Sequence, residues 1–125
     1  MKKIILILCC LPFLTASTCT NDDSPFRPCT AEAKAGLNVS VSLGSMNSIT
    51  SEGVTVIATD GDFAETLTAP FDNDPVFSGV YERVGSYIIT VSKEGYQTFT
   101  TETIVVGREV CHVIPRILHV SLQPQ

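Results

Sequence analysis

Acidic side chains are the groups best suited to do chemistry in this chain, and they gather in two short turns. Asp60, Asp62 and Glu65 belong to the first turn, and Asp72 and Asp74 belong to the second. Carboxylate oxygens at alternating positions suit calcium, and loops can hold that ion. The spacing lacks the EF-hand pattern, however, and Asp-Gly and Asn-Asp are ordinary turn formers. These five acids are calcium candidates, but we predict that the chain holds no metal or other cofactor.

The two histidines offer no obvious catalytic or metal-binding pair. His112 directly follows Cys111, and neighbouring side chains on a strand point to opposite faces, so the two do not form a nucleophile and its base. His119 lies too far along an extended strand to share a metal ion with His112, unless the chain bends at Pro115. Paired carboxylates could hydrolyse glycosides, but a domain of this size leaves no deep cleft for a sugar. We therefore expect no enzymatic activity.

Aromatic side chains could form a platform for sugars. The chain has no Trp, and a small core needs most of its aromatic side chains inside. The candidates are Phe63, Phe71, Phe77, Tyr81, Tyr87, Tyr96 and Phe99. A small carbohydrate- or calcium-binding module that uses the acidic loops 60–65 and 72–74 is therefore the alternative to a non-catalytic structural or accessory module.

Net charge and composition limit the class of protein. The 125 residues carry 13 Asp and Glu against 8 Lys and Arg, a formal charge of -5. Nucleic acid and anionic lipid surfaces attract basic proteins, so neither is expected to bind this chain through charge. Hydrophobic residues make up 44% of the chain and charged residues 17%, which is too apolar for disorder and sufficient for one domain.

Residues 1–18 have the layout of a secretory signal peptide. Lys2 and Lys3 give a positive start, and an apolar run follows over residues 4–11. This run is shorter than the roughly twenty residues that span a bilayer, and small residues come after it. The pattern predicts export. Removal of the two lysines leaves 6 basic against 13 acidic residues, so the mature chain carries a charge of -7.

The end of this segment resembles a bacterial lipoprotein signal, in which a cysteine is lipidated and becomes the mature N-terminus. Cys19 follows the small residues Ala16, Ser17 and Thr18, and residues 19–28 read as a polar tether. The family prefers Leu at the place of Ala16 and Gly, Ala or Ser at the place of Thr18. The resemblance implies a lipid on Cys19 and a membrane-anchored protein of the cell envelope. Ordinary cleavage near Ser17, which would release a soluble periplasmic or secreted protein, stays open.

The remaining cysteines form an even pair. Cys9 and Cys10 leave with the signal peptide, and Cys19 is the lipidation candidate, so Cys29 and Cys111 remain in an exported chain, where disulfides persist. Their long separation does not fit a metal or redox pair. A bridge between them would close a long loop and contribute about 4 kcal/mol on the chain-entropy model. We predict a structural disulfide.

Beyond residue 36 the sequence alternates between apolar and polar residues, which is typical of half-buried strands. Residues 37–43 place Leu and Val on one face and Asn and Ser on the other. Further strands are predicted over residues 54–58, 63–67, 76–84, 87–91, 96–100 continuing to 106, and 111–122. Pro115 requires an edge position or a bulge in the last strand. This spacing of about seven strands predicts an all-β, antiparallel two-sheet β-sandwich.

One predicted hairpin resembles a known family. Residues 85–96 carry Gly85, Tyr87, Val91 and then Gly95-Tyr96, and this pattern looks like the hairpin of the carboxypeptidase regulatory-like family. Residues 29–39, 111–113 and 122–124 are similar to the short exported lipoproteins of that family. The resemblance covers residues 29–124 and implies a prealbumin-like sandwich that acts as an accessory, non-catalytic module. We expect its partner, besides the membrane, to be an envelope protein or a ligand of unknown identity.

Overall fold

The computed structural model describes residues 28–71 and 73–125, and this part of the chain contains strands and connecting segments without a helix. The strands are Ala35–Leu43 (β1), Thr55–Asp60 (β2), Phe63–Thr66 (β3), Phe77–Tyr81 (β4), Gly85–Ser92 (β5), Phe99–Thr100 (β6), Ile104–Val106 (β7) and Arg116–Leu122 (β8). Accordingly, the described residues include no helix that could cross a membrane.

The strands form two sheets that pack face to face. The first sheet has the order β4-β1-β8. The second has the order β3-β2-β5-β6, and β7 also pairs with β5. The predicted all-β, two-sheet sandwich is confirmed.

One strand pair departs from the antiparallel expectation. β1 and β8 run parallel, from Leu37 opposite Arg116 to Leu43 opposite Leu122. They are the first and last strands, and no hairpin turn joins them, so nothing local forces them to run in opposite directions. A parallel pair has both amino ends at the same end of the sheet. The segments that lead into β1 and β8 therefore lie side by side at one end of the sandwich.

The apolar residues that alternate along the strands form the core between the two sheets. Buried residues recur at every second position of β5, and the apolar residues of β1 do the same. Burial of a Val, Leu or Ile side chain contributes roughly 1.5–3 kcal/mol, so this inner layer is the main source of stability. The buried hydrophobic residues are Leu37, Val39, Val41, Val56, Ala58, Leu67, Phe77, Val80, Tyr87, Ile89, Val91, Val106, Val113, Val120 and Leu122.

Several predicted strands are shorter than expected: residues 96–106 contain only β6 and β7, and the strands predicted over 76–84 and 111–122 are shortened where the path of the chain changes. β4 ends at Tyr81, and the next three residues carry the chain across from the first sheet to β5 in the second. Val80 and Glu82 adopt φ values of 49° and 52°, in the left-handed region that L-residues rarely occupy, and they make this crossing sharp. β8 begins at Arg116, directly after Pro115, on an edge of its sheet. Pro115 was expected inside the last strand, but it lies just before it, where its missing N–H removes no ladder hydrogen bond.

Close packing at Gly79 on β4 gives a stability prediction. A Cβ at this position would overlap the Leu67 side chain and lie 2.6 Å from Glu65 Oε2. Gly79→Ala should therefore lower the free energy of unfolding by about 1–3 kcal/mol in urea denaturation, because its neighbours must shift. In the matched variant Gly107→Ala, the nearest atom to the new Cβ is 3.9 Å away, at Ile114, so little change is expected. Equal losses in the two variants would contradict the assignment.

Candidate functional site: a clasp where the chain enters the sandwich

A disulfide and several hydrogen bonds come together at the end of the sandwich where the chain enters β1 and β8. We call this site the entry clasp, and it consists of the Cys29–Cys111 disulfide together with Glu82, His112 and Thr30. The disulfide is present, with an S–S distance of 2.06 Å and a Cα–Cα distance of 5.2 Å. It fastens the segment that leads into β1 to the segment that leads into β8.

Glu82 is the polar centre of the entry clasp. Its Oε1 accepts hydrogen bonds from the Lys34 backbone N–H at 2.8 Å and from His112 Nδ1 at 2.6 Å. Its Oε2 accepts one from the Val113 N–H at 3.2 Å. The Glu82 N–H in turn donates to the Lys34 carbonyl oxygen at 3.0 Å. One carboxylate thus fixes both entering segments to the turn that joins the two sheets.

The same donors control the charge of Glu82. The hydrogen bond from the Lys34 N–H is the largest influence, and it acts with those from His112 and Val113 to hold the pKa of Glu82 below its usual value. Partial burial opposes this effect, since it favours the neutral acid. Glu82 is therefore ionised at neutral pH. His112 adds a full ion pair only when its ring is protonated.

His112 links Glu82 to Thr30. The Nδ1 of its ring faces the carboxylate, and its Nε2 lies 3.0 Å from Thr30 Oγ1. An acid, an imidazole and a hydroxyl in this order also form the proton relay of acyl-transfer enzymes. Here, however, the acid also holds two backbone N–H groups, and the hydroxyl belongs to the residue next to the disulfide. Every member of the group therefore ties one chain segment to another, as a structural fastening does.

Arg83 centres a second polar cluster at the same end of the sandwich. Its Nη1 donates to Asp60 Oδ2 at 3.0 Å and to the Tyr87 hydroxyl at 2.8 Å, and its guanidinium lies 3.7 Å from the centre of the Phe63 ring. The Tyr87 hydroxyl donates to the Arg83 carbonyl oxygen at 2.9 Å. The hydrogen bonds with Tyr87 and Asp60 raise the pKa of Arg83, which keeps it charged. The cluster gives the hydroxyl of the buried Tyr87 its partners at the edge of the core.

Two of the calcium candidates already have protein partners. Asp60 forms the ion pair with Arg83, and Glu65 Oε2 accepts a hydrogen bond from the Val80 N–H at the end of β4. Each contact uses one oxygen of its carboxylate. In the structure, both acids therefore join β2 and β3 to the end of β4 and the crossing that follows it.

The other calcium candidates do not complete a site with them. Asp62 and Asp74 are exposed, and Asp72 lies outside the described residues. In residues 28–71 and 73–125, no group of three or more His, Cys, Asp and Glu side chains is arranged to hold a metal ion.

The remaining sequence candidates are also dispersed. His119 is on β8, and its ring nitrogens lie within 2.9 Å of Ser40 Oγ and 3.2 Å of Ser42 Oγ on β1. Of the aromatic side chains exposed to solvent, Tyr81 belongs to the first sheet and Phe99 to the second. Cys19, the signal peptide 1–18 and the tether up to residue 27 lie outside the described residues.

Sequence reasoning missed the two residues that organise this end of the sandwich. Glu82 and Arg83 fall inside the predicted strand 76–84, where a charged pair looks like an exposed surface. Their role depends on the chain leaving one sheet for the other at Tyr81. The available signal was two adjacent opposite charges between two apolar strands, a pattern that suits a turn better than a strand.

Comparisons with known proteins add no family to this picture. No protein-family model matches the chain, and a search of curated proteins found no match either. The role of the entry clasp is therefore inferred from its own residues and contacts.

The lowered pKa of Glu82 predicts how stability depends on pH. The ionised carboxylate stabilises the fold above its unfolded pKa of about 4.3, and this contribution is lost as the pH falls through the lower folded value. The difference in free energy of unfolding between wild type and Glu82→Gln should therefore be positive at pH 7 and shrink at pH 3, as measured by urea denaturation. Glu94→Gln, an exposed control in the turn after β5, should show no such trend. A Glu82→Gln difference that is constant with pH would contradict the assignment.

The disulfide gives a second prediction for the entry clasp. The Cys29→Ser/Cys111→Ser double variant should lose roughly 4 kcal/mol of stability, because a cross-link between residues 82 positions apart restricts the unfolded chain. Reduction of the wild type should reproduce this loss in urea denaturation. The two sheets should persist in far-ultraviolet circular dichroism, since Glu82 still holds both entering segments. Loss of all strand signal on reduction would show that the polar contacts do not suffice.

Proposed function

We propose that this chain is a non-catalytic β-sandwich module of the bacterial cell envelope, anchored through a lipid on Cys19, with a structural or accessory binding role. The export signal and the cysteine that follows it support the compartment. The fastening of the entering segment to the sandwich supports the anchored state.

The entry clasp is the observation that carries this proposal. A tether that ends in a membrane transmits every pull to the first residues of the domain. Those residues are held covalently by Cys29 and by hydrogen bonds at Thr30 and Lys34. Because the disulfide leads to the segment before β8, a pull is shared between the first and last strands. The first strand alone does not have to bear it.

The entry clasp also sets how an anchored molecule would face its surroundings. A fully extended stretch as long as residues 19–28 spans about 35 Å. Cys29, which follows it, belongs to the segment that leads into β1, beside the segment that leads into β8. The opposite end of the sandwich carries the loop 44–54 and the turn 93–95. Met46 and Ile49 in that loop are 61% and 38% exposed. This far end is the surface that a membrane-anchored module would offer to an envelope protein or ligand.

The resemblance to the carboxypeptidase regulatory-like family supports an accessory role, because it implies a module without catalytic residues. In the hairpin that carries the resemblance, β5 follows the expected pattern, whereas the return strand expected from Tyr96 begins only at Phe99. Tyr87, Ile89 and Val91 are buried on one face of β5, and Gly95 turns the chain at a φ of 83°. In the alternative, a calcium- or carbohydrate-binding module, Asp60 and Glu65 would act as ligands while also contacting Arg83 and the Val80 N–H.

Metabolic labelling with a palmitate analogue tests the anchor. Cells that express the full chain should incorporate label into it, and the Cys19→Ala variant should lose the label and leave the membrane fraction. Cys10→Ala is the matched control, since this cysteine lies in the segment that the proposal removes, and it should be labelled like the wild type. Label that survives Cys19→Ala, or an unlabelled wild type recovered as a soluble exported protein, would overturn the lipid anchor.

A further inference from the structure

The outer edge of β8 is a run of backbone groups that the sandwich leaves open. β8 pairs with β1 on one side and ends the first sheet on the other. The Gly44 N–H donates to the Leu122 carbonyl at 2.6 Å, which shows that alternate residues from Leu122 backwards direct their backbone toward β1. Ile117, His119 and Ser121 therefore direct theirs outward. In the described part of the chain these three residues have no backbone partner on that side.

Contacts at both ends of β8 limit this open edge to residues 117–121. At the carboxyl end, the Gln97 N–H donates to the Gln123 carbonyl at 2.8 Å and draws the chain toward the second sheet. At the amino end, Arg116 Nη1 donates to the Val105 carbonyl at 3.0 Å, and Pro115 precedes it. Between them lies a short, straight stretch of edge.

The other sheet edges carry features that discourage pairing, whereas β8 does not. β4 contains the left-handed residue Val80 and is followed by a second one, Glu82, and the Glu65 carboxylate accepts a hydrogen bond from the Val80 N–H. β3 has four residues, and β6 and β7 are short and separated by residues 101–103. Residues 117–122 contain no Asp, Glu, Lys, Arg or Pro. An uncharged, unbent edge of this kind is a template for another strand.

The side chains of this edge are folded back and leave it accessible. The His119 ring lies over β1, where it contacts Ser40 and Ser42. The Ser121 hydroxyl donates to the Gly44 carbonyl at 3.1 Å. Ile117 is 84% exposed, so its apolar side chain has no neighbour that covers it. An incoming strand would meet backbone groups and one uncovered isoleucine.

We propose that β8 pairs with the β8 of a second copy of this chain, antiparallel and centred on His119, to form one continuous six-stranded sheet. This register places Ile117 opposite Ser121 of the second copy and His119 opposite its equivalent. Three outward N–H groups on each copy then meet three outward carbonyls on the other, which gives six backbone hydrogen bonds. Two copies of this edge fit each other because neither carries a charge that would repel the other. A two-fold axis at His119 also places each outward N–H of one copy opposite an outward carbonyl of the other. The pairing does not depend on the lipid anchor.

Cysteine cross-linking in cells that export the full chain tests the pairing and its register. Directly opposed residues of an antiparallel pair lie about 5.5 Å apart between Cα atoms, within the range of a disulfide. His119→Cys should therefore give a reducible dimer on a non-reducing gel, with roughly tenfold more cross-link than Ser86→Cys, an exposed position within the interior strand β5. The chain without an added cysteine is the background control, because it shows how much cross-linking its own cysteines give. Equal cross-linking at residues 119 and 86, or a product that contains a different protein, would overturn the proposal.

Two off-axis variants test the register. Ile117→Cys alone places the two cysteines about 14 Å apart along the strand and should not cross-link. When Ile117→Cys and Ser121→Cys are expressed together with different tags, a mixed dimer should form. Cross-linking of Ile117→Cys with itself would contradict the two-fold axis at His119.

A proline variant tests whether the backbone edge carries the contact. In the His119→Cys background, Ile117→Pro removes an outward N–H and should abolish the dimer, whereas Ile117→Thr keeps that N–H and should retain it. Thermal unfolding of both variants confirms that the sandwich is intact. A folded proline variant that still cross-links would show that the edge hydrogen bonds are not the contact, and a dimer lost in the threonine variant would do the same.

Discussion

The parallel pairing of β1 and β8 is the constraint on which the rest of the structure depends. It brings the beginnings of two strands from opposite ends of the chain to one end of the sandwich, where no turn joins them. Parallel pairs make this demand because their amino ends must coincide. The Cys29–Cys111 disulfide and the Glu82 carboxylate keep these two amino ends together, since both fasten the segment before β1 to the segment before β8. The entry clasp is thus the counterpart of the hairpin turn that an antiparallel pair would have had.

The positions of the charged side chains can be understood from the same crossing between the two sheets. Glu82 and Arg83 lie where the chain passes from one sheet to the other, and each uses its charge to join that crossing to its neighbours. The first acidic turn contributes to the same crossing, since Asp60 forms an ion pair with Arg83. Asp60 and Glu65 therefore both have partners within the sandwich. At the β8 edge the absence of charge has the opposite consequence, because backbone groups stay accessible to another strand.

Particular residues show how far the site could be predicted. Cys29 and Cys111 were paired correctly because an exported chain with two cysteines left has few alternatives. Glu82 could not be found this way, because its three donors come from residues far away in the sequence and its φ of 52° is visible only in the structure. His112 was expected to lie within the predicted strand 111–122. It lies instead in the turn before β8, where Glu82 and Thr30 hold its ring.

The sequence by itself determined that the chain forms short strands with one apolar face, and that such strands pack as two sheets, because a period of two leaves each strand with a face that must be buried. It also placed the disulfide, whereas Pro115, expected inside the last strand, directly precedes β8. Only the tertiary structure decided that β1 and β8 run parallel, that Glu82 joins both of their entries, and that β8 keeps an open edge. Strand direction and edge position depend on which distant segments meet, and local periodicity carries no information about that meeting.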